Sequence, residues 1–238
     1  MIEYDGTNYG GWQRQNNAVT IQEELENAIF NITREHIKLI GCSRTDAGVH
    51  AKGFIANFST GSKLLEDKLK VAINSQLPKD IIILDSREVE ENFHARYCSK
   101  GKTYSYTILN RADSIAIGKD YVYHYKFPLD IDKMQRGAQQ LLGKHDFSAF
   151  KSTGSSVKTS VRTITGLDII KDDNLIKIYV SADGFLYNMV RIIVGTLIDV
   201  GNGKIEPDSI GEILNSKDRS KAGACVPAQG LCLEKVYF

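Results

Sequence analysis

The residue types best suited to chemistry lie in one run, Gly41-Cys42-Ser43-Arg44-Thr45-Asp46-Ala47-Gly48-Val49-His50-Ala51. Gly41 and Gly48 permit backbone conformations that a side chain forbids, and Ala47 and Ala51 leave room for another molecule to approach Asp46. Arg44 and His50 stand two and four residues from the acid and would draw in an anionic ligand that a lone carboxylate repels. The run reads as a nucleophile or base beside a phosphate-bearing ligand. Cys42 has two readings, a nucleophile or a small side chain filling the turn, and the second is the commoner fate of a cysteine.

Such a turn needs elements on either side to hold it. Thr20-Ile21-Gln22-Glu23 has the form of a capping box, and Ile21, Leu25, Ala28, Ile29 and Ile32 follow at helical spacing, which predicts a helix over 20–34. A strand over 37–41 should lead into the acidic turn and another over 54–59 should follow it, with Phe54, Ala56 and Phe58 on one face. A second helix over 63–76 is stopped by Pro78, and 81–89 returns as strand. Over 102–109 the alternation puts Tyr104, Tyr106 and Ile108 on one face and Thr103, Ser105 and Thr107 on the other. The second half repeats the scheme: a helix over 131–142, strands near 163–170 and 175–182, a long helix after Gly184, a short one near 208–215 and a last strand over 230–237. Helices interleaved with strands, without a Gly-rich nucleotide fingerprint, indicate an α+β fold. The organisation divides into 1–110, with the acidic turn, and 111–238. The Gly154-Ser155-Ser156 loop is expected to be flexible and near the surface or the substrate.

The helix after Gly184 carries Asn188, Arg191, Gly195 and Asp199 as a thin polar stripe among Met189, Val190, Ile193, Val194 and Leu197. A cation in so apolar a helix calls for a carboxylate partner, since an uncompensated buried charge costs several kcal/mol. Gly195 is expected to leave space beside the guanidinium.

Bulk properties exclude more than they identify. The 238 residues are 42% apolar and 25% charged, as in an ordinary globular chain. No run approaches the roughly 18 apolar residues of a membrane span, and Met1-Ile2-Glu3-Tyr4-Asp5 resembles neither a signal nor a transit peptide, so a cytoplasmic protein is expected. Cys42, Cys98, Cys225 and Cys232 form no Cys-x-x-Cys pair, and the five histidines lack zinc-ligand spacing, which gives neither a disulfide framework nor a metal site. The net charge is +1, yet between His94 and Lys126 the cations Arg96, Lys100, Lys102, Arg111, Lys119 and Lys126 meet only Asp113 and Asp120. A basic face for nucleic acid is compatible with that distribution, as is an ordinary solvated face.

The Arg44-Thr45-Asp46-Ala47-Gly48-Val49-His50 run resembles the active-site signature of the TruA family of tRNA pseudouridine synthases. The opening segment 3–15, with Tyr4-Asp5-Gly6-Thr7 and Gly10-Gly11-Trp12-Gln13, the segments 146–150, 161–164 and 227–231, and the helix 185–197 resemble further motifs of that family in its own order. The resemblance implies a pseudouridine synthase fold: two similar α+β halves, with mixed or antiparallel sheets flanked by helices, around a central catalytic cleft. It implies isomerisation of uridine to pseudouridine in the anticodon stem-loop of tRNA, without a cofactor, by a homodimer. The absence of a cofactor follows from the chemistry, because the bond from C1′ to N1 is exchanged for one from C1′ to C5 and no electrons are gained.

By the same resemblance Asp46 is the catalytic carboxylate and Arg191 its charge partner, while Tyr104 lies against the target base. Left to the residues alone, Arg191 pairs with some acid and Tyr104 packs in a core as readily as it stacks on a base. Arg44 either fills the space vacated by a base turned out of its stem, or ties down its own turn. Tyr9, Trp12, Gln13 and Arg14 either line an RNA groove or, for the single tryptophan, anchor a core. The chain departs from the family at Phe54, Ser105, Thr107, Val226 and Cys232, and its first strand is short or truncated. Two other classes compete: a noncatalytic RNA-binding or RNA-folding module, and a glycosidase, which would need a second carboxyl group that the Asp46 segment does not offer.

Overall fold

The computed structural model describes residues 1–154 and 157–238, so part of the expected Gly154-Ser155-Ser156 loop lies outside the described residues. The chain forms two compact units, one made of Met1–Lys100 and Cys232–Phe238, the other of Gly101–Leu231. No helix among the described residues is long and apolar enough to cross a membrane.

The first unit is built on β1 (Ile2–Tyr4), β3 (His50–Phe54), β5 (Ile81–Ile83) and β11 (Leu231–Tyr237), in the order β5-β1-β3-β11. β1 is antiparallel to both β5 and β3, whereas β11 runs parallel to β3 with Cys232 opposite His50, so the sheet is mixed. A separate pair, β2 (Ile40–Gly41) and β4 (Ala56–Asn57), brackets the acidic run, with Ile40 opposite Asn57. Helix α1 (Ile21–Thr33) starts as its capping box predicts, the Thr20 hydroxyl accepting the Glu23 N–H at 3.4 Å, and Arg34 ends it in the left-handed region. Its apolar stripe, Ile21, Leu25, Ala28 and Ile29, is buried. Trp12 joins this core: it is 2% exposed and stacks on Phe54 at 4.0 Å between ring centroids. Gly41 makes this possible, because a Cβ there would sit 2.7 Å from the indole.

Helix α2 (Glu66–Asn74) begins later than its hydrophobic pattern suggests, since the Ser62 hydroxyl caps Leu64 in a local turn and Leu65 is still extended. β5 is shorter than expected because its partner ends: Leu84 and Asp85 both donate their N–H groups to the carbonyl of Met1. The strand expected over 54–59 is instead two strands, β3 and β4, broken at Ile55, whose carbonyl accepts the Cys42 N–H at 2.8 Å.

The second unit is an antiparallel sheet of β6 (Gly101–Leu109), β10 (Leu175–Ala182), β9 (Val161–Asp172) and β8 (Gly143–Asp146), in that order, with β7 (Tyr123–His124) parallel to β6. Tyr104 pairs with Val180 and Tyr106 with Ile178, and the face carrying Tyr104, Tyr106 and Ile108 is buried as the alternation predicts. Helices α3 (Ile131–Gln139), α4 (Met189–Gly201) and α5 (Ile210–Ser216) flank the sheet. α4 is apolar nearly all round, and Ile192, Ile193, Val194 and Leu197 are fully buried, each contributing roughly 1.5–3 kcal/mol by leaving water. The architecture is α+β, as expected.

Candidate active site

In the first unit the acidic run leaves β2, turns, and enters β3 at His50. Buried and exposed residues alternate along it: Cys42 and Thr45 point inward, Arg44 is exposed, Asp46 is half-buried, and Val49 and His50 are buried again. Cys42, at 1% exposure, fills the turn from beneath. The Asp46 carbonyl accepts the Val49 N–H at 3.2 Å, and Gly48 supplies the positive φ of 77° that closes this turn.

The opening segment holds the turn from the other side. The Thr45 carbonyl accepts the Trp12 N–H at 3.0 Å, and the Thr45 hydroxyl shares a buried 2.8 Å hydrogen bond with the Tyr4 hydroxyl. Gly11, at φ 94°, passes so close that a Cβ would lie 2.4 Å from the Thr45 carbonyl oxygen and 2.9 Å from the Asp46 carbonyl carbon. At Gly6 a Cβ would overlap the Val49 carbonyl. His50 Nδ1 accepts the Gly6 N–H at 3.1 Å and lies 3.1 Å from Asp5 Oδ1, so the ring ties the far end of the turn to the same segment. The two longest motifs of the first unit are therefore one structure, a carboxylate-bearing turn and the cradle beneath it. Sequence spacing alone showed no link between them.

Tyr9 and Trp12 are buried and belong to this cradle, not to an RNA groove. The Tyr9 hydroxyl donates to Asp80 Oδ1 at 2.6 Å, and burial together with that carboxylate pushes the phenol well above its ordinary range. Gln13 and Arg14 are exposed, and Arg14 meets Glu23 at 3.4 Å and Glu26 at 3.2 Å.

In the second unit Arg191 lies in the first turn of α4. Its Nε donates to the Val226 carbonyl at 2.7 Å and its Nη1 to Asn188 Oδ1 at 2.9 Å, which fixes the plane of the guanidinium. Asn188, at φ 60° just before the helix, is held in turn by a 3.0 Å bond from its amide to the Ser152 hydroxyl. Gly195 does not leave space beside Arg191. A Cβ there would overlap the Ala224 carbonyl oxygen at 1.8 Å, so its role is to let the segment 223–226 pass close against α4. Thr196 secures that segment by accepting the Gly223 N–H at 2.9 Å. Asp199, the one acid of the stripe, meets Lys204 at 3.1 Å.

Tyr104 is 6% exposed and meets Phe185 edge to face at 5.1 Å. Tyr106, read only as its neighbour on the strand, proves to be tied to the same segment as Arg191: its hydroxyl donates to the Pro227 carbonyl at 2.7 Å. Burial raises the Tyr106 phenol far above its usual range, and the Arg191 charge works against that rise without overcoming it. Tyr106 is thus a neutral donor that helps place the backbone from which Arg191 hangs. Its shared face with Tyr104 was the available signal. The structure so gathers Arg44 and Asp46 in one turn of the first unit, and Arg191 and Tyr104 in the second. Among the described residues no group of three or more His, Cys, Asp or Glu could hold a metal ion.

A family model described as tRNA pseudouridine synthase matches residues 1–98 and 138–238. The chain is 57% identical over 237 residues to tRNA pseudouridine synthase A 2 of Clostridium perfringens, covering 100% of this chain and 97% of that one. It is 56% identical over 237 residues to tRNA pseudouridine synthase A of Clostridium acetobutylicum, with the same coverage. Among solved structures, one chain of a Cbf5-Nop10-Gar1 complex aligns with 99% of this chain and 57% of its own length, at 12% identity and a TM-score of 0.40. With its Asp46 turn, its cradle and its arginine-bearing helix all inside the matched residues, the chain belongs to the tRNA pseudouridine synthase family.

Proposed function

We propose that this protein isomerises uridine to pseudouridine in the anticodon stem-loop of tRNA, with Asp46 as the catalytic carboxylate. The observation that carries the reading is the Asp46 turn itself. A half-buried acid, fixed by backbone contacts on both sides, lies within a chain that matches tRNA pseudouridine synthases over its full length. In the reaction the C1′–N1 bond breaks, the freed base rotates, C1′ bonds to C5, the C5 proton leaves and N1 gains one. Atoms and electrons balance without a cofactor. A fixed carboxylate serves this sequence by attacking C1′, by taking a sugar proton to give a glycal, or by adding to the base.

Arg191 is the proposed charge partner that keeps Asp46 ionised once substrate excludes water, and its oriented guanidinium suits that task. Tyr104 is the proposed platform for the target uracil. Arg44, exposed on the same turn as Asp46, is the proposed contact to a phosphate or the filler of the gap left by the extruded base. The two halves 1–110 and 111–238, a homodimer and a cytoplasmic location belong to the same reading. Tritium release from unmodified tRNA labelled at uridine C5 tests it. Wild-type protein should release tritium with no added cofactor, and Asp46→Asn should fold normally and release none. Normal turnover by Asp46→Asn would refute the assignment.

A further inference from the structure

Among the described residues no phenylalanine, tyrosine or tryptophan is more exposed than Tyr97, at 77%. The backbone that carries it is anchored on several sides, and the ring itself packs against His94. Ala95, two residues before it, is fully buried, and the side chain of Asn57 clamps the backbone there, accepting the Ala95 N–H at 2.9 Å and donating to the Phe93 carbonyl at 3.1 Å. The Cys98 N–H closes a turn on the His94 carbonyl at 2.9 Å. Inside that turn His94 Nδ1 accepts the N–H groups of Arg96 at 3.2 Å and Tyr97 at 3.3 Å, which locks the imidazole in place. The His94 and Tyr97 rings lie 4.2 Å apart at 32°, and the Arg96 guanidinium is 5.9 Å from the Tyr97 centroid.

A ring kept in water adds nothing to folding, yet a pre-ordered one binds a planar partner at little further cost in entropy. The surrounding charge names the partner. From Asn92 to Ala112 the chain has no acidic residue, while Arg96 and Lys100 flank Tyr97 and are exposed. The geometry points to Tyr97, backed by His94 and Arg96, as a stacking platform for an unpaired base of the RNA substrate outside the isomerisation site. This inference rests on the proposed action on tRNA. Asn57 belongs to β4 and stands opposite Ile40 in β2, which runs directly into the Asp46 turn. A base seated on Tyr97 is thereby held at a fixed offset from Asp46 within one unit, which gives the platform a part in aligning the RNA.

The test uses the full chain and an unmodified tRNA transcript, with binding, steady-state isomerisation and melting temperature measured on each variant. Loss of one base stack should raise the Kd and KM of Tyr97→Ala by about 5- to 150-fold with kcat little changed, whereas Tyr97→Phe keeps both near wild type. Arg96→Gln should weaken binding and lower the dependence of log Kd on log salt by about one ion. Unchanged Kd and KM in a normally melting Tyr97→Ala protein would overturn the inference. So would an altered sedimentation coefficient with unchanged tRNA affinity, which would assign the ring to a protein contact. If the wild type binds tRNA but releases no C5 tritium, the isomerase reading fails while the binding comparison still decides the role of Tyr97.

Discussion

Replacing Gly11 by alanine disturbs the proposed catalytic turn without touching any side chain that reacts. Two costs are combined at this position. The φ of 94° lies in the region that L residues avoid, at roughly 1–2 kcal/mol. The added Cβ would also sit 2.4 Å from the Thr45 carbonyl oxygen, where ordinary contact begins at 3.4 Å, so one backbone must retreat by about 1 Å. Because the Asp46 carbonyl carbon is only 2.9 Å from the same Cβ, the retreat is transmitted to the residue carrying the carboxylate. A misplacement of that size costs on the order of 100-fold in turnover. Gly118→Ala is the control, since its φ is 81° and nothing lies within 4 Å of its Cβ. Gly118→Ala should lose about 2–8 °C of melting temperature from backbone strain and Gly11→Ala more, because the clash adds to the strain, but only Gly11→Ala should lose kcat in the tritium-release assay. A folded Gly11→Ala protein with kcat within about threefold of wild type would show that the cradle does not position Asp46.

Tyr4→Phe removes the buried bond to the Thr45 hydroxyl and should cost about 1 kcal/mol of stability, with kcat falling and KM unchanged; equal kcat would mean the bond serves folding alone. Asp146 gives a pH signature. The Ser148 hydroxyl at 2.6 Å and Lys217 at 3.0 Å hold its carboxyl below the ordinary 3.8, so its stabilising effect is present above that value and is lost as pH falls through the lower folded-state pKa. Asp146→Ala should therefore be less stable than wild type at pH 7, with the gap closing below about pH 3.8 in urea titrations; a gap that persists to pH 2 would trace the loss to packing instead.

Local signals were legible where one element decides the outcome. Thr20 caps α1 by accepting the Glu23 N–H, and strict alternation puts Tyr104 and Tyr106 on one buried face. The acidic turn was legible because its residue types are unusual together. What could not be read was which segment supports which. β3 lies between β1 and β11, and its burial, with His50, Ala51, Gly53 and Phe54 all buried and only Lys52 exposed, does not alternate. The eye instead follows the clean alternation from Phe54 to Phe58, across the break at Ile55. Gly195 was misread for a similar reason: a glycine one turn from an arginine invites a role beside it, but the carbonyl it admits comes from Ala224, a residue distant in sequence. The Trp12 stack on Phe54 and the Gly11 contact with Thr45 are likewise long-range events whose participants carry no mark of each other.

The strand β11 gives the molecule a timetable. It pairs with β3 at Cys232 and His50, so the strand that begins where the Asp46 turn ends acquires that neighbour only after the Gly101–Leu231 unit has been made. On a translating ribosome the whole Gly101–Leu231 unit is synthesised in between, an interval on the order of ten seconds during which one edge of β3 waits. The second unit, continuous in sequence, has no such wait and is free to fold first. A chain released early would then carry every residue of the acidic turn and a finished second unit, yet leave β3 without its parallel partner. The frame behind the Asp46 turn is thus finished only once the second unit has been made.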